Sequence, residues 1–228
     1  DPDAQPIPLL SALSKEWGVL ETDCSDLEIQ PSDPVLMESC NASVPPAAPE
    51  KTILVIGDSH AEQWLGVLEP MAEEHNYQVV SLLLGACSFG ASSDSRGAGC
   101  NDFNAAALEY ALELKPDAVF TVATAAHPVN ALDTPVDGLP EASAALQQAG
   151  ITVVGVRDNP RYAFNMISCA EANGLDSEAC TADVSEKLSD PRDIASFFAA
   201  VPGVELMDMT DVICPNGTCG PVVGNVYV

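Results

Sequence analysis

The run Thr52-Ile53-Leu54-Val55-Ile56 constrains this chain most, because it is unbroken apolar sequence that stops at Gly57-Asp58 and gives way at once to helical periodicity. A short apolar run bounded by turn residues reads as a strand buried on both faces. The following residues, 61–75, are predicted to be helical, with Trp64, Leu65, Leu68 and Met71 on one face. The alternation then repeats: strand over 77–84, helix over 104–114, strand over 118–123, helix over 141–148 and strand over 151–156. Beyond it, 193–200 reads as helix, and 204–207 and 226–228 as strands. Apolar strands separated by helices of this length imply a parallel sheet covered on both sides. In such sheets ligands bind beyond the carboxyl ends of the strands.

Composition narrows the partners and the compartment. The 34 acidic against 8 basic side chains give a formal net charge of −26, and the basic residues are scattered singly. A nucleic-acid surface needs clustered Lys/Arg, so nucleic acid is excluded as a partner, and an anionic membrane surface is disfavoured on the same ground. The same charge favours neutral partners over charged polymers. At 47% hydrophobic residues the chain can nevertheless fill a core.

Eight cysteines fall into four local pairs: Cys24 with Cys40, Cys87 with Cys100, Cys169 with Cys180, and Cys214 with Cys219. No C-x-x-C occurs, and three histidines give no zinc-finger spacing, so neither a structural metal nor a cofactor is expected. Eight cysteines allow 105 connectivities; the nearest-neighbour one is expected because each pair brackets a Ser/Asn/Gly-rich loop. A disulfide framework points to an extracytoplasmic protein, whereas buried thiols in a cytosolic one are the alternative. Residues 1–50 carry ten acids and one base and end in the Pro-rich stretch Val44-Pro45-Pro46-Ala47-Ala48-Pro49. They are expected to form an appendage pinned by Cys24 and Cys40, with a short helix within 8–20, joined by a linker to a domain over 51–228. No basic leader or long apolar run is present, so the chain is expected to be a processed or expressed piece of an exported protein.

The chemistry sits at the end of the first apolar strand, Val55-Ile56-Gly57-Asp58-Ser59-His60. A serine at a strand-to-helix turn lies near unpaired backbone N–H groups and the positive end of the helix dipole. Asp and Ser also cap helices routinely, which is the structural alternative. The longer string Ile53-Leu54-Val55-Ile56-Gly57-Asp58-Ser59-His60-Ala61 resembles the SGNH (GDSL-like) hydrolase superfamily, and more narrowly the SGNH domain fused to membrane acyltransferase 3 proteins. Gly85-Ala86-Cys87, Lys115-Pro116-Asp117-Ala118-Val119 and Cys214-Pro215-Asn216-Gly217-Thr218-Cys219 add to the resemblance in the expected order, over roughly 51–228.

This resemblance implies an α/β, three-layer, flavodoxin-like parallel sheet. It makes Ser59 the nucleophile and its N–H an oxyanion donor, with the Gly85 N–H as another. The third-block asparagine is not found; Thr124 occupies the place, with Asn130 several residues beyond. Asp58 is expected to order the turn. An Asp-x-x-His pair is implied after the last short strand, and the chain stops at Val228 before that block, so the isolated polypeptide is expected to be impaired as a catalyst. His60 and His75 read as structural, while His127 follows a strand end and is the histidine best placed to substitute. Arg157-Asp158-Asn159-Pro160-Arg161 reaches the same rim, where Arg157 and Arg161 could orient a substrate or else pair with surplus acids.

The implied activity is acyl transfer through Ser59 to a hydroxyl of an envelope glycan or glycolipid, the acyl group being delivered by a membrane acyltransferase domain. An esterase using the same serine, and a non-catalytic glycan-binding module, are the competing readings.

Overall fold

The computed structural model describes residues 5–9, 12, 17–44, 46–129 and 132–227. The N-terminal part holds β1 (Thr22–Asp23), α1 (Pro34–Met37) and β2 (Cys40–Ala42). Then come β3 (Lys51–Gly57), α2 (Ser59–Glu62), α3 (Leu65–His75), β4 (Tyr77–Leu83), α4 (Ala98–Leu114), β5 (Ala118–Val122), β6 (Thr124–Ala125), β7 (Thr134–Pro135), α5 (Leu139–Gln148) and β8 (Thr152–Val156). The last third comprises α6 (Met166–Asn173), β9 (Ala182–Asp183), α7 (Pro191–Ala199), β10 (Val204–Met207), α8 (Thr210–Ile213), β11 (Thr218–Cys219), β12 (Val222–Val223) and β13 (Val226–Tyr227).

Seven strands form one sheet in the order β1-β2-β4-β3-β5-β8-β10. From β4 to β10 every neighbour is parallel, which gives the flavodoxin-like order. The N-terminal residues do more than hang from their disulfide: β2 pairs antiparallel with β4, and β1 with β2. The helix expected within 8–20 falls partly outside the described residues, and 17–20 is irregular.

Side-chain alternation along the strands builds two cores, one on each face. Leu54, Ile56, Val80, Leu82, Val119 and Val153 pack with Phe103 and Ala107 of α4, Leu139 and Leu146 of α5, and Ile194 and Phe198 of α7. Val55, Val79, Phe120, Val122 and Val156 turn to the opposite face and meet Ala61, Leu65, Leu68 and Ala72 of α2 and α3. Helix 61–75 was expected as one piece and is two. Its chain tightens at Gln63, whose N–H reaches the carbonyls of both Ala61 and Ser59, and the Trp64 ring packs on Phe120 with centroids 6.0 Å apart. All four expected cysteine pairs are disulfides.

At the end of β8 lies a buried ionic cluster. Arg157 Nε and Nη2 donate to Asp133 at 3.0 and 3.1 Å, Nη1 donates to Asp208 at 3.0 Å, and Nη2 also reaches the Ser189 carbonyl at 2.6 Å. The Arg157 and Asp133 side chains are 1% and 0% exposed. Breaking such a pair from one side leaves an uncompensated charge in the interior. Arg157→Met is therefore expected to cost about 3–5 kcal/mol in urea unfolding. Arg192→Gln, which removes an ion pair at an 88% exposed side chain, should leave the urea midpoint where it is.

Candidate active site

In this strand order the connectivity reverses between β3 and β5, so their carboxyl ends flank the sheet's switch point. The turn after β3 occupies that place, and each letter of Gly57-Asp58-Ser59-His60-Ala61 has a local reason. Gly57 has φ 153°, and a Cβ there would stand 2.9 Å from the Ala61 Cβ, so the strand can bend this closely onto its own helix only with a glycine facing an alanine. Asp58 is the N-cap, its Oδ1 accepting the His60 N–H at 2.9 Å. Ser59 is therefore the first residue of α2, exposed to solvent, with an N–H that has no intrahelical acceptor.

His60 carries the feature that sequence reading missed. Its Nδ1 donates to Asp158 Oδ1 at 2.5 Å, with the two side chains 26% and 4% exposed. Asp158 follows β8 and is held from several sides. Its Oδ2 accepts the Ala126 N–H at 2.7 Å, its Oδ1 also accepts the Asn159 N–H at 2.9 Å, and its own N–H donates to Thr124 Oγ1 at 3.0 Å. Asn159 Nδ2 in turn donates to Gln63 Oε1 at 3.0 Å. The ends of β3, β5 and β8 are thus joined beside Ser59 by a single carboxylate.

The hydrogen bond to Asp158 raises the His60 pKa above its ordinary 6.5; burial opposes this, the charges of Asp158 and Asp58 add to it, and that of Arg161 subtracts. Asp158 and His60 could have been suspected from an acid placed directly after a buried strand and a histidine beside the serine. Nothing in the sequence links positions 98 residues apart.

The other expected site residues separate into those at the rim and those inside it. Gly85 lies exposed just past β4, next to the Leu84 N–H that bonds the Gly57 carbonyl at 2.9 Å. A Cβ there would meet nothing within 4 Å, so the space above Gly85 is open. Thr124 is fully buried, and its hydroxyl oxygen accepts the Asp158 N–H rather than lining the rim. His127 is partly exposed in the loop that follows Ala126. Asn130 is outside the described residues. Arg157, expected at the rim, lies in the internal cluster with Asp133 and Asp208, its nitrogens engaged there. Arg161 is exposed and lines a cleft of about 460 Å³ with His60, Gln63, Asn159, Tyr162 and Tyr227. Among the described residues no cluster of three or more potential ligands could hold a metal, and no helix is long and apolar enough to cross a membrane.

The fold is an α/β sheet with an exposed serine at its switch point, in a Gly-Asp-Ser turn. The family model for the SGNH domain fused to AT3 domains matches residues 23–228, and the chain belongs to this family. The match takes in the edge strand β2 as well as the parallel sheet. Among solved structures, the periplasmic domain of a lipopolysaccharide acetyltransferase from Salmonella ser. Paratyphi A shares the fold, with a TM-score of 0.55 at 18% identity over 77% of this chain and 72% of that one. No curated protein sequence matches the chain.

The His60 pairing makes a signed expectation. A histidine whose folded pKa is raised stabilises the fold fully below its unfolded pKa of about 6.5, and that contribution is lost as pH rises through the folded value. The stability difference between wild type and His60→Gln should thus be larger at pH 5.5 than at pH 9. In NMR titration the His60 midpoint should lie above 6.5 and drop in Asp158→Asn.

Proposed function

We propose that this domain transfers an acyl group, most simply acetyl, through Ser59 to a hydroxyl of a cell-envelope glycan or glycolipid, outside the cytoplasm. The observation that carries the reading is Ser59 itself: an exposed hydroxyl on the first residue of α2, at the switch point of the sheet. Membership of a family fused to AT3 domains supports a membrane acyltransferase as the source of the acyl group. The shared fold with a lipopolysaccharide acetyltransferase domain supports a glycan-type acceptor, and the four disulfides support an oxidising compartment.

In this reading the Ser59 hydroxyl attacks the acyl carbonyl of the donor ester or thioester, the Ser59 and Gly85 N–H groups receive the developing oxyanion, and the donor's alcohol or thiol leaves, taking up a proton, as the carbonyl re-forms. The acyl group rests as an ester on Ser59 until an acceptor hydroxyl displaces it. Among the described residues none hydrogen-bonds the Ser59 hydroxyl, and the proton is assigned to the histidine of the family's Asp-x-x-His pair. His60 acts as a positioning residue: tied to Asp158, it fixes the start of α2 and so the direction in which Ser59 points. Asp58 caps the same turn. Water and a sugar hydroxyl discharge an acyl-serine by the same chemistry, so hydrolysis is a side reaction whose extent depends on acceptor supply.

The test uses the full-length protein with an activated acetyl ester. Peptide mass spectrometry should place the acetyl group on Ser59, and Ser59→Ala should lower turnover about a thousand-fold or more. Adding a glycan acceptor should divert product from free acetate to O-acetyl glycan. Acetate alone at every acceptor concentration would make the protein an esterase, and turnover that survives Ser59→Ala would remove the serine from the mechanism.

A further inference from the structure

The chain has only 8 basic residues against 34 acids, so the position of each cation is informative. Arg157 is buried against Asp133 and Asp208, and Arg192 pairs with Asp190. Arg96 binds the carbonyls of Ala91 and Asp137. Lys51 stands over the Tyr77 ring at 5.7 Å. Arg161 differs: it is exposed, it has no carboxylate partner among the described residues, and it lines the same cleft as His60, the residue next to Ser59.

That cleft has an unusual wall for so acidic a chain. Its lining includes Gln63, Asn159, Tyr162 and Tyr227, and among the described residues no Asp or Glu. The two carboxylates that flank His60 are engaged in hydrogen bonds: Asp158 with His60, Ala126 and Asn159, and Asp58 in capping α2. A second cation stands close by, with Lys187 Nζ 5.6 Å from the centroid of the Tyr162 ring. Burial pushes the Tyr162 phenol up to about 12, so this side chain stays neutral at any working pH. Exposed charges more than about 8 Å away are largely screened at physiological salt. Arg161 thus places a positive charge in this cleft although the molecule as a whole carries −26. This qualifies the preference for neutral acceptors that the net charge alone suggests.

We infer that the cleft beside Ser59 binds an anionic sugar unit of the acceptor, its carboxylate or phosphate on the Arg161 guanidinium and its hydroxyls among Gln63, Asn159, Tyr162 and Tyr227. This rests on the acceptor-glycan reading above and names its chemical class. A guanidinium presents a planar pair of N–H donors that matches a carboxylate or phosphate edge, whereas a lone sugar hydroxyl would use one donor and leave the charge unanswered. The anion would anchor the sugar in the cleft, so that a neighbouring hydroxyl approaches the acyl-serine.

The test reads binding without turnover, by NMR chemical-shift changes in the present chain. Three sugar probes that differ in charge are compared: trigalacturonate for the carboxylate, glucose 1-phosphate for the phosphate, and neutral maltotriose. One charged probe should bind about tenfold or more tighter than maltotriose, as expected when a charged hydrogen bond is added. Which of the two it is identifies the anion. Shifts should centre on Arg161, Tyr162 and Tyr227, and the preference should shrink as salt rises. Arg161→Gln should abolish the preference, and Arg161→Lys should retain part of it. Because Arg161 is exposed, neither substitution should change the melting temperature. Equal binding of all three probes, a preference that survives Arg161→Gln, or no binding by any probe at 20 mM overturns the inference. Ser59→Ala should leave binding unchanged, so failure here and failure of acylation at Ser59 are read separately.

Discussion

Two consecutive residues at the end of β8 hold the working edge of this sheet together. A strand sends successive side chains to opposite sides, and here both carry charge into the interior. Arg157 gathers Asp133, Asp208 and the Ser189 carbonyl on one side. Asp158 gathers His60, Ala126, Asn159 and Thr124 on the other. Each buried charge has oppositely charged or hydrogen-bonding partners around it, which is the condition for a buried ionic group to be tolerated. The consequence for function is positional. The Ser59 turn is attached to β3 through its own backbone and to β8 through the His60–Asp158 bond, so it cannot drift relative to the sheet.

Much of this was legible in the sequence. Continuous apolar runs announced the inner parallel strands, because burial on both faces leaves a strong compositional mark. The edge strands were not announced: Cys40-Asn41-Ala42 is three residues long and sits in acidic, Pro-rich surroundings, and it becomes a strand because β4 offers it an edge. Helix α6 was also missed. It is short, and it begins on an Asn165 side chain that accepts the Ser168 N–H at 2.8 Å, a cap with little apolar periodicity behind it.

At the site, local and long-range information diverge in the same way. Asp58 as a cap and Ser59 at the first helical position follow from three neighbouring residues. The roles of Arg157 and Arg161 could not be told apart, since both lie on one five-residue stretch and only the folded chain shows one buried and the other exposed in the cleft. The histidine dismissed as structural proves to carry the bond that ties the turn to β8, and no spacing rule connects it to Asp158. Net charge is the least local quantity: −26 for the molecule coexists with a cleft whose described lining residues include Arg161 and no Asp or Glu.

The central claim is that the Asp158–His60 bond holds Ser59 in a reactive setting. It is tested most directly by the rate at which a serine-directed fluorophosphonate modifies Ser59 in the full-length protein, compared between wild type and Asp158→Ala. Melting temperature serves as the control for folding. The account gives a single adduct on Ser59 and a rate at least about tenfold slower in the variant while it is still folded, the scale expected when an active-site group is misplaced by an ångström. An unlabelled Ser59, or equal rates in the two proteins, would contradict it.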